Sequence, residues 1–198
     1  EPPHPHNPIA IGANVSPTAV FIKRRRLSGF SVNFFDVIVR CPWLSLQKRH
    51  LAKGQGSLIS SVEVVTGGSG RFGRHLKEVK TKNKVFFPNK KEMNILNIHS
   101  VKKYLKRIKP DIVIHLAGLS RPMKVHQQDI SKSINLNIIG TGNVTIICSI
   151  LNIKMIYFST NYVYPGTKGN YREGDPINPV NNYAWSKLGG ECSVKLYK

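Results

Sequence analysis

The sequence predicts an α/β fold with a doubly wound parallel sheet, located in residues 61–198. Three observations predict it: a β-branched run leads directly into a glycine-rich loop, apolar strands alternate with helical segments, and small or polar residues follow the strands. The ligand crevice of such a sheet lies at the carboxyl ends of its strands. With 198 residues, the chain can build one sizeable core, or a core and an appendage.

The first predicted strand covers residues 62–65, whose three valines suit a buried strand. In the loop that follows, Gly67, Gly70 and Gly73 lie three residues apart. The first permits a tight turn, the second lets the backbone approach a pyrophosphate, and the third lets a helix over 72–79 pack on the strand. The amino end of that helix would also attract phosphate. The alternative is an ordinary glycine-rich turn.

The second predicted strand, residues 85–87, is followed by Lys90 and Lys91, with no acidic residue before Glu92. An acidic residue often stands here to hold a ribose 2′-hydroxyl. The two lysines and Arg71 could instead meet a 2′-phosphate, which favours NADP over NAD.

The remaining segments continue the alternation of helices and strands. They are an amphipathic helix over 99–109, an apolar strand ending in Ala117 and Gly118, a long apolar helix over 130–151, and a strand over 153–158 ending at Ser159 and Thr160. Parallel strands joined by right-handed crossovers bring these strand ends to one edge. His115 could be a catalytic base, but a packed histidine with one hydrogen bond is the favoured interpretation.

Tyr183 and Lys187 stand four residues apart, so on a helix they share one face. A cation beside a phenol lowers its pKa from about 10 towards neutrality, which gives a proton donor and acceptor usable near pH 7. The alternative is a solvated helix face.

Residues 1–60 lack this organisation. Five prolines precede residue 18, a basic run covers 23–26, and no periodicity persists, so the segment is predicted to be a disordered or loosely packed basic extension. His4 and His6 have no further ligands at suitable spacing, and no metal site is predicted. The net charge of +20 is spread along the chain and is interpreted as a solvated lysine-rich surface, with no nucleic-acid partner expected.

Three cysteines without close pairing favour a reducing compartment, and a cytoplasmic location is expected. No apolar run is expected to approach the roughly 20 residues that span a bilayer, so no membrane partner is expected. The amino terminus does not resemble a signal peptide.

Five motifs together resemble the extended short-chain dehydrogenase/reductase family. They lie at residues 66–73, 115–118, 137–141, 159–160 and 183–187. Within that family, residues 158–166 and 171–179 are most similar to the dTDP-4-dehydrorhamnose reductase branch.

The resemblance implies a Rossmann-type sheet, a bound NAD or NADP, and reduction of a 4-keto nucleotide sugar. Tyr183 would donate a proton, Lys187 would lower its pKa and hold the nicotinamide ribose, and Thr160 would hydrogen-bond the sugar oxygen. The residues implied to bind the cofactor are Gly67, Ser69, Gly70, Arg71, Phe72, Gly73, Asn94, Ile95, Leu116, Ala117, Gly118, Asn137, Ser159, Tyr183 and Lys187.

The sequence departs from the family pattern at three points. Asn161 and Asn94 stand where the family usually has aspartate, and the first of these argues against a dehydratase. The chain ends at Lys198, so the fold is expected to be truncated before a C-terminal substrate domain. A nucleotide-sugar epimerase and a non-catalytic dinucleotide-binding module remain alternatives, and a homodimer is possible.

Overall fold

The computed structural model describes residues 19–22, 61–172 and 174–197. The elements in chain order are β1 (Ala19–Ile22), β2 (Val62–Thr66), α1 (Arg71–Lys77), β3 (Lys84–Phe86), α2 (Ile98–Ile108), β4 (Ile112–His115), α3 (Val125–Gln128), α4 (Ile130–Ile150), β5 (Lys154–Phe158) and α5 (Asn182–Lys195).

All five described strands run parallel, in the spatial order β1-β5-β4-β2-β3. The predicted α/β fold with a doubly wound sheet is confirmed. The chain passes from β2 to β3 on one side and then to β4 on the other, so the strand order reverses at β2. That reversal is the switch point at which open α/β sheets bind their ligands.

Strand β1 was not predicted. It pairs with the outer edge of β5, with Ala19 opposite Met155 and Ile22 opposite Phe158. Four residues carry too little pattern to predict a strand whose partner lies more than a hundred residues away. The basic run at 23–26 and both early histidines lie outside the described residues, so the prediction of a disordered extension stays a prediction.

The core lies between the sheet and helices α2, α4 and α5. Val64, Val113 and Tyr157 enter it from the strands, and Leu105 and Val144 enter it from the helices; all five are buried. These contacts hold the strands and helices in fixed relation, so the carboxyl edge of the sheet is a defined surface.

Helix α4 is long and apolar enough to cross a membrane by length and composition alone, with 21 residues and a mean hydropathy of 1.3. The expectation that no apolar segment approaches that length is therefore wrong. Ile147 and Cys148 of this helix are buried in the core, whereas Ile130, Ile146 and Ile150 are exposed. The expected absence of a membrane partner stays a prediction.

Candidate active site

The glycine loop connects β2 to α1 at the switch point. The amide of Gly70 donates to the Gly67 carbonyl (2.9 Å), and Gly67 has a φ of 72°, which favours glycine. A Cβ at Gly67 would lie 2.7 Å from the Ala117 nitrogen, and one at Gly73 would lie 2.5 Å from the Gly68 Cα. Backbone atoms cannot rotate away, so Gly67 and Gly73 are required by the packing of the loop itself.

Gly70 differs from these two glycines. Its backbone is extended (φ −70°, ψ 167°), and a Cβ there would meet only the Gly67 carbonyl oxygen, at 3.1 Å. A side chain at this position would therefore need a small shift of that carbonyl. The packing of the loop constrains Gly70 less than Gly67 and Gly73, which fits a backbone kept bare for a ligand.

The other predicted cofactor residues around this loop divide into two groups. Ser69 and Arg71 are exposed, whereas the ring of Phe72 packs against Phe158, with their centroids 5.1 Å apart. In the turn after β3, the Asn94 side chain accepts from the Leu96 amide (3.1 Å), and Ile95 is buried. Asn94 therefore uses its oxygen within its own turn.

A buried hydrogen-bond chain joins β2, β4 and α4 beside the loop. The Thr66 hydroxyl lies 2.8 Å from Nδ1 of His115, and Nε2 of that ring lies 3.1 Å from the Thr141 hydroxyl. Thr66 Oγ1 also accepts from the amides of Leu116 and Ala117, at 3.2 and 3.1 Å. Because Thr66 Oγ1 already accepts from two amides, its hydroxyl donates to Nδ1 of His115. The imidazole proton is therefore on Nε2, which donates to the Thr141 hydroxyl.

This chain decides the role of His115. The side chain is buried, and burial, followed by the positive charge of Lys187, lowers its pKa to about 3. The imidazole is neutral at pH 7 and both nitrogens are engaged. The interpretation of His115 as a packed histidine is confirmed, with two hydrogen bonds in place of the single one expected.

Asn137 connects the segment after β4 to α5. Its Oδ1 accepts from the Leu119 amide (2.7 Å), and its Nδ2 donates to the Leu119 carbonyl and to the Ser186 hydroxyl, at 2.9 and 2.8 Å. A Cβ at Gly118 would lie 2.8 Å from that Oδ1. Both Nδ2 hydrogens are donated within the protein, so the Asn137 side chain holds the segment after β4 against α5.

The three predicted catalytic residues are brought together where β5 ends. Helix α5 begins at Asn182 after Asn181, whose side chain accepts from the Ala184 amide (2.9 Å) and fixes the start of the helix. Thr160, two residues beyond β5, hydrogen-bonds with the Tyr183 side chain. Lys187 lies one helical turn further on and is buried.

The predicted effect of Lys187 on Tyr183 is wrong for this structure. Burial raises the pKa of Tyr183, while Thr160 and Arg121 oppose that change and Tyr162 adds to it. The Lys187 ammonium instead lies over the ring of Tyr157, 4.2 Å from its centroid. Burial lowers its pKa to about 7. Tyr183 is therefore protonated at neutral pH, which is the state a proton donor requires.

Two residues near this site were missed. His126, on α3, is buried and packs its ring against Tyr183, with a centroid distance of 5.0 Å. Glu191 is buried on α5 and accepts a short hydrogen bond from the hydroxyl of Ser159, which was predicted to contact the cofactor. The regular spacing of Tyr183, Lys187 and Glu191, four residues each, was a signal in the sequence that could have identified the glutamate.

Comparison with known proteins places this architecture in a family. Residues 63–198 match the family described as the RmlD substrate binding domain. The chain belongs to this family. The match covers most of residues 61–198 and ends with the chain, so it includes the glycine loop, the β4 edge and helix α5.

Individual relatives carry different names. The chain is 31% identical over 140 residues to methionine adenosyltransferase 2 subunit beta from Bos taurus, covering 66% of this chain and 42% of that protein. It is also 31% identical to the spore coat polysaccharide biosynthesis protein SpsK of Bacillus subtilis, covering 67% of this chain and 48% of that protein. The chain thus spans less than half the length of these relatives.

Among solved structures, the chain resembles the dTDP-4-dehydrorhamnose reductase of Bacillus anthracis in complex with NADP. The TM-score is 0.66 and the identity 29%, over 70% of this chain and 50% of that one. The UDP-Glc/GlcNAc 4-epimerase of Campylobacter jejuni, at 23% identity and a TM-score of 0.61, shares the fold.

Proposed function

We propose that this chain carries the cofactor-binding and proton-donating parts of an NAD(P)-dependent reductase of 4-keto nucleotide sugars. The observation that carries the proposal is the arrangement of Thr160, Tyr183 and Lys187 at the carboxyl edge of β5. The glycine loop lies on the same edge, at the switch point of the sheet. The NADP complex of the similar Bacillus anthracis reductase supports this cofactor class.

The loop fits a dinucleotide because Gly70 leaves the backbone bare at a position where a Cβ would closely meet a single protein atom. Residues 67–73 would hold the pyrophosphate, and Lys187 would hold the nicotinamide ribose. Arg71 and Lys90 are exposed and available to a 2′-phosphate, so NADP is accepted as well as NAD. When bound, the nicotinamide supplies or accepts the hydride.

The residues at the end of β5 would manage the proton. Tyr183, protonated at neutral pH, would donate from its phenol oxygen to the oxyanion that forms as a ketone is reduced. Thr160 would orient that phenol and contact the same oxygen. A positioned proton donor typically contributes a factor of about 10²–10⁴ to the rate.

The test measures NADPH consumption in the presence of dTDP-4-dehydrorhamnose, and NADPH binding separately. Tyr183→Phe should lower turnover by about 10²–10⁴ while leaving NADPH affinity nearly unchanged. Thr160→Ala should lower the rate less, because the proton donor remains, and Lys187→Met should weaken both binding and turnover. Tyr104→Phe, which removes a hydroxyl from a core tyrosine beside Arg107, is the matched control and should behave as wild type. Undiminished turnover in Tyr183→Phe would contradict the proposal.

A second candidate is a non-catalytic dinucleotide-binding module, favoured by the similarity to a protein named as a subunit, methionine adenosyltransferase 2 subunit beta. In that case NADPH would bind and no tested 4-keto sugar would be reduced.

An epimerase would use the same Tyr183 and Lys187, and would interconvert a UDP-sugar without net consumption of the cofactor. The cytoplasmic location and the possible homodimer stay predictions.

A further inference from the structure

Glu191 is a buried carboxylate that the proposed chemistry does not use. Glu191 is 1% exposed. Charged groups are rarely buried without a partner. It follows Lys187 by one helical turn on α5, and Lys187 follows Tyr183 by one turn. The three side chains therefore lie along one face of the helix.

One partner of Glu191 comes from the strand that carries Thr160. The Ser159 hydroxyl donates a short hydrogen bond to Oε1 of Glu191. The Tyr157 hydroxyl, two residues earlier, donates to the backbone carbonyl of Lys187 (3.2 Å). Both bonds fix α5 against the end of β5, and the first holds the Glu191 carboxylate in place one helical turn from Lys187.

Lys187 needs such a countercharge. It is buried over the face of the Tyr157 ring, and burial alone favours its neutral form, while the negative charge of Glu191 acts in the opposite direction. The other titratable groups facing it are Tyr183 on the same helix, Tyr157 on β5 and His115 on β4. Burial raises the pKa of both tyrosines and lowers that of His115, so all three are neutral at pH 7.

We propose that Glu191 is a positioning residue that favours the ammonium form of Lys187 at neutral pH, from one turn further along α5. Its value for catalysis rests on the proposed function, because an ammonium offers three hydrogen-bond donors to the cofactor ribose. Glu191 itself would touch neither cofactor nor substrate. Ser159 is then part of the support for the carboxylate.

The test reads the Lys187 pKa directly, by NMR titration of the protein with isotope-labelled lysine Cε, in the absence of cofactor. The Lys187 signal is assigned as the one that Lys187→Met removes. Glu191→Gln keeps the shape of the side chain and removes its charge, and should lower the Lys187 pKa by at least about one unit. Glu191→Asp retains the charge and should fall between Glu191→Gln and wild type.

Glu78→Gln, on the exposed residue that follows α1, makes the same charge change on the surface and should leave the Lys187 pKa unchanged. Circular dichroism checks that each variant is folded, and Ser159→Ala, which keeps the carboxylate, should retain a Lys187 pKa near that of wild type. An equal Lys187 pKa in Glu191→Gln and wild type would overturn the inference, as would an equal fall in Glu78→Gln.

A cofactor measurement separates this inference from the proposed function. In wild type, NADPH affinity should decline as the pH rises through the Lys187 pKa, and in Glu191→Gln the decline should begin at lower pH. If wild type binds no NADPH, the proposed function fails while the NMR result still decides the role of Glu191. If NADPH binds and its pH profile is unmoved by Glu191→Gln, the inference fails alone.

Discussion

The two halves of the carboxyl edge are built differently. On the side of β2, the glycine loop is shaped by backbone packing, and the neighbouring Thr66–His115–Thr141 chain is neutral and fully hydrogen-bonded. On the side of β5, Lys187 and Glu191 bring opposite charges into the protein interior. The β2 side is fixed by close backbone contacts. The charge of the β5 side depends on the protonation of buried groups and hence on pH.

The largest expected effect tests whether the β2 side is truly neutral. The His115 pKa is about 3 in the folded protein against 6.5 as its ordinary value, so below pH 6.5 the unfolded chain binds a proton that the folded chain does not. The free energy of unfolding should therefore fall as the pH falls, by roughly 4 kcal/mol between pH 7 and pH 3 from this group.

Urea unfolding across that pH range measures this loss. His115→Asn removes the titrating group while keeping a polar side chain, and its free energy of unfolding should decline less steeply with falling pH. Parallel pH profiles for wild type and His115→Asn would show that His115 is protonated in the folded state as easily as in the unfolded one.

A smaller effect tests the packing of the loop. Alanine normally stabilises a helix relative to glycine by about 1 kcal/mol, and Gly73 lies within α1. The structure predicts the opposite, because a Cβ there would lie 2.6 Å from the Gly67 carbonyl oxygen. Gly73→Ala should lower the free energy of unfolding by about 1–3 kcal/mol.

Gly142→Ala is the matched control for that substitution. Gly142 lies in α4, and a Cβ there would make an ordinary contact, 3.8 Å from the Ser193 hydroxyl oxygen. Chemical unfolding should show Gly142→Ala to be as stable as wild type or slightly more so. Stabilisation by both substitutions would mean that the loop is looser than the structure shows.

The same contrast explains what the sequence could predict. The strand, the glycine triplet and the alternating elements follow local patterns, so the sheet and the positions of Gly67 and Thr160 could be anticipated. The spacing of Tyr183 and Lys187 also placed them on one face. Their protonation could not be anticipated, because burial outweighs the neighbouring charge and depends on residues distant in sequence.

Two further features lacked a local signal, and a third was misjudged. Strand β1 is defined by its pairing with β5, which no short-range pattern encodes. The hydroxyl of Ser159 binds Glu191, and a strand-end motif alone does not reveal which direction such a side chain takes. The bounds of helix α4 were predicted to within one residue, but its mean hydropathy was underestimated because polar residues interrupt it.

The measurement that tests the central claim most directly is NADPH binding by wild type, Gly70→Val and Gly169→Val. A side chain at Gly70 closely meets a single protein atom, the Gly67 carbonyl oxygen at 3.1 Å, so most of its effect should fall on a ligand, whereas a Cβ at Gly169 meets nothing within 4 Å. We expect wild type and Gly169→Val to bind NADPH alike, and Gly70→Val to lose at least about tenfold in affinity, or 1.4 kcal/mol, while remaining folded. Equal affinity in all three proteins would contradict the assignment of residues 67–73 as the dinucleotide site.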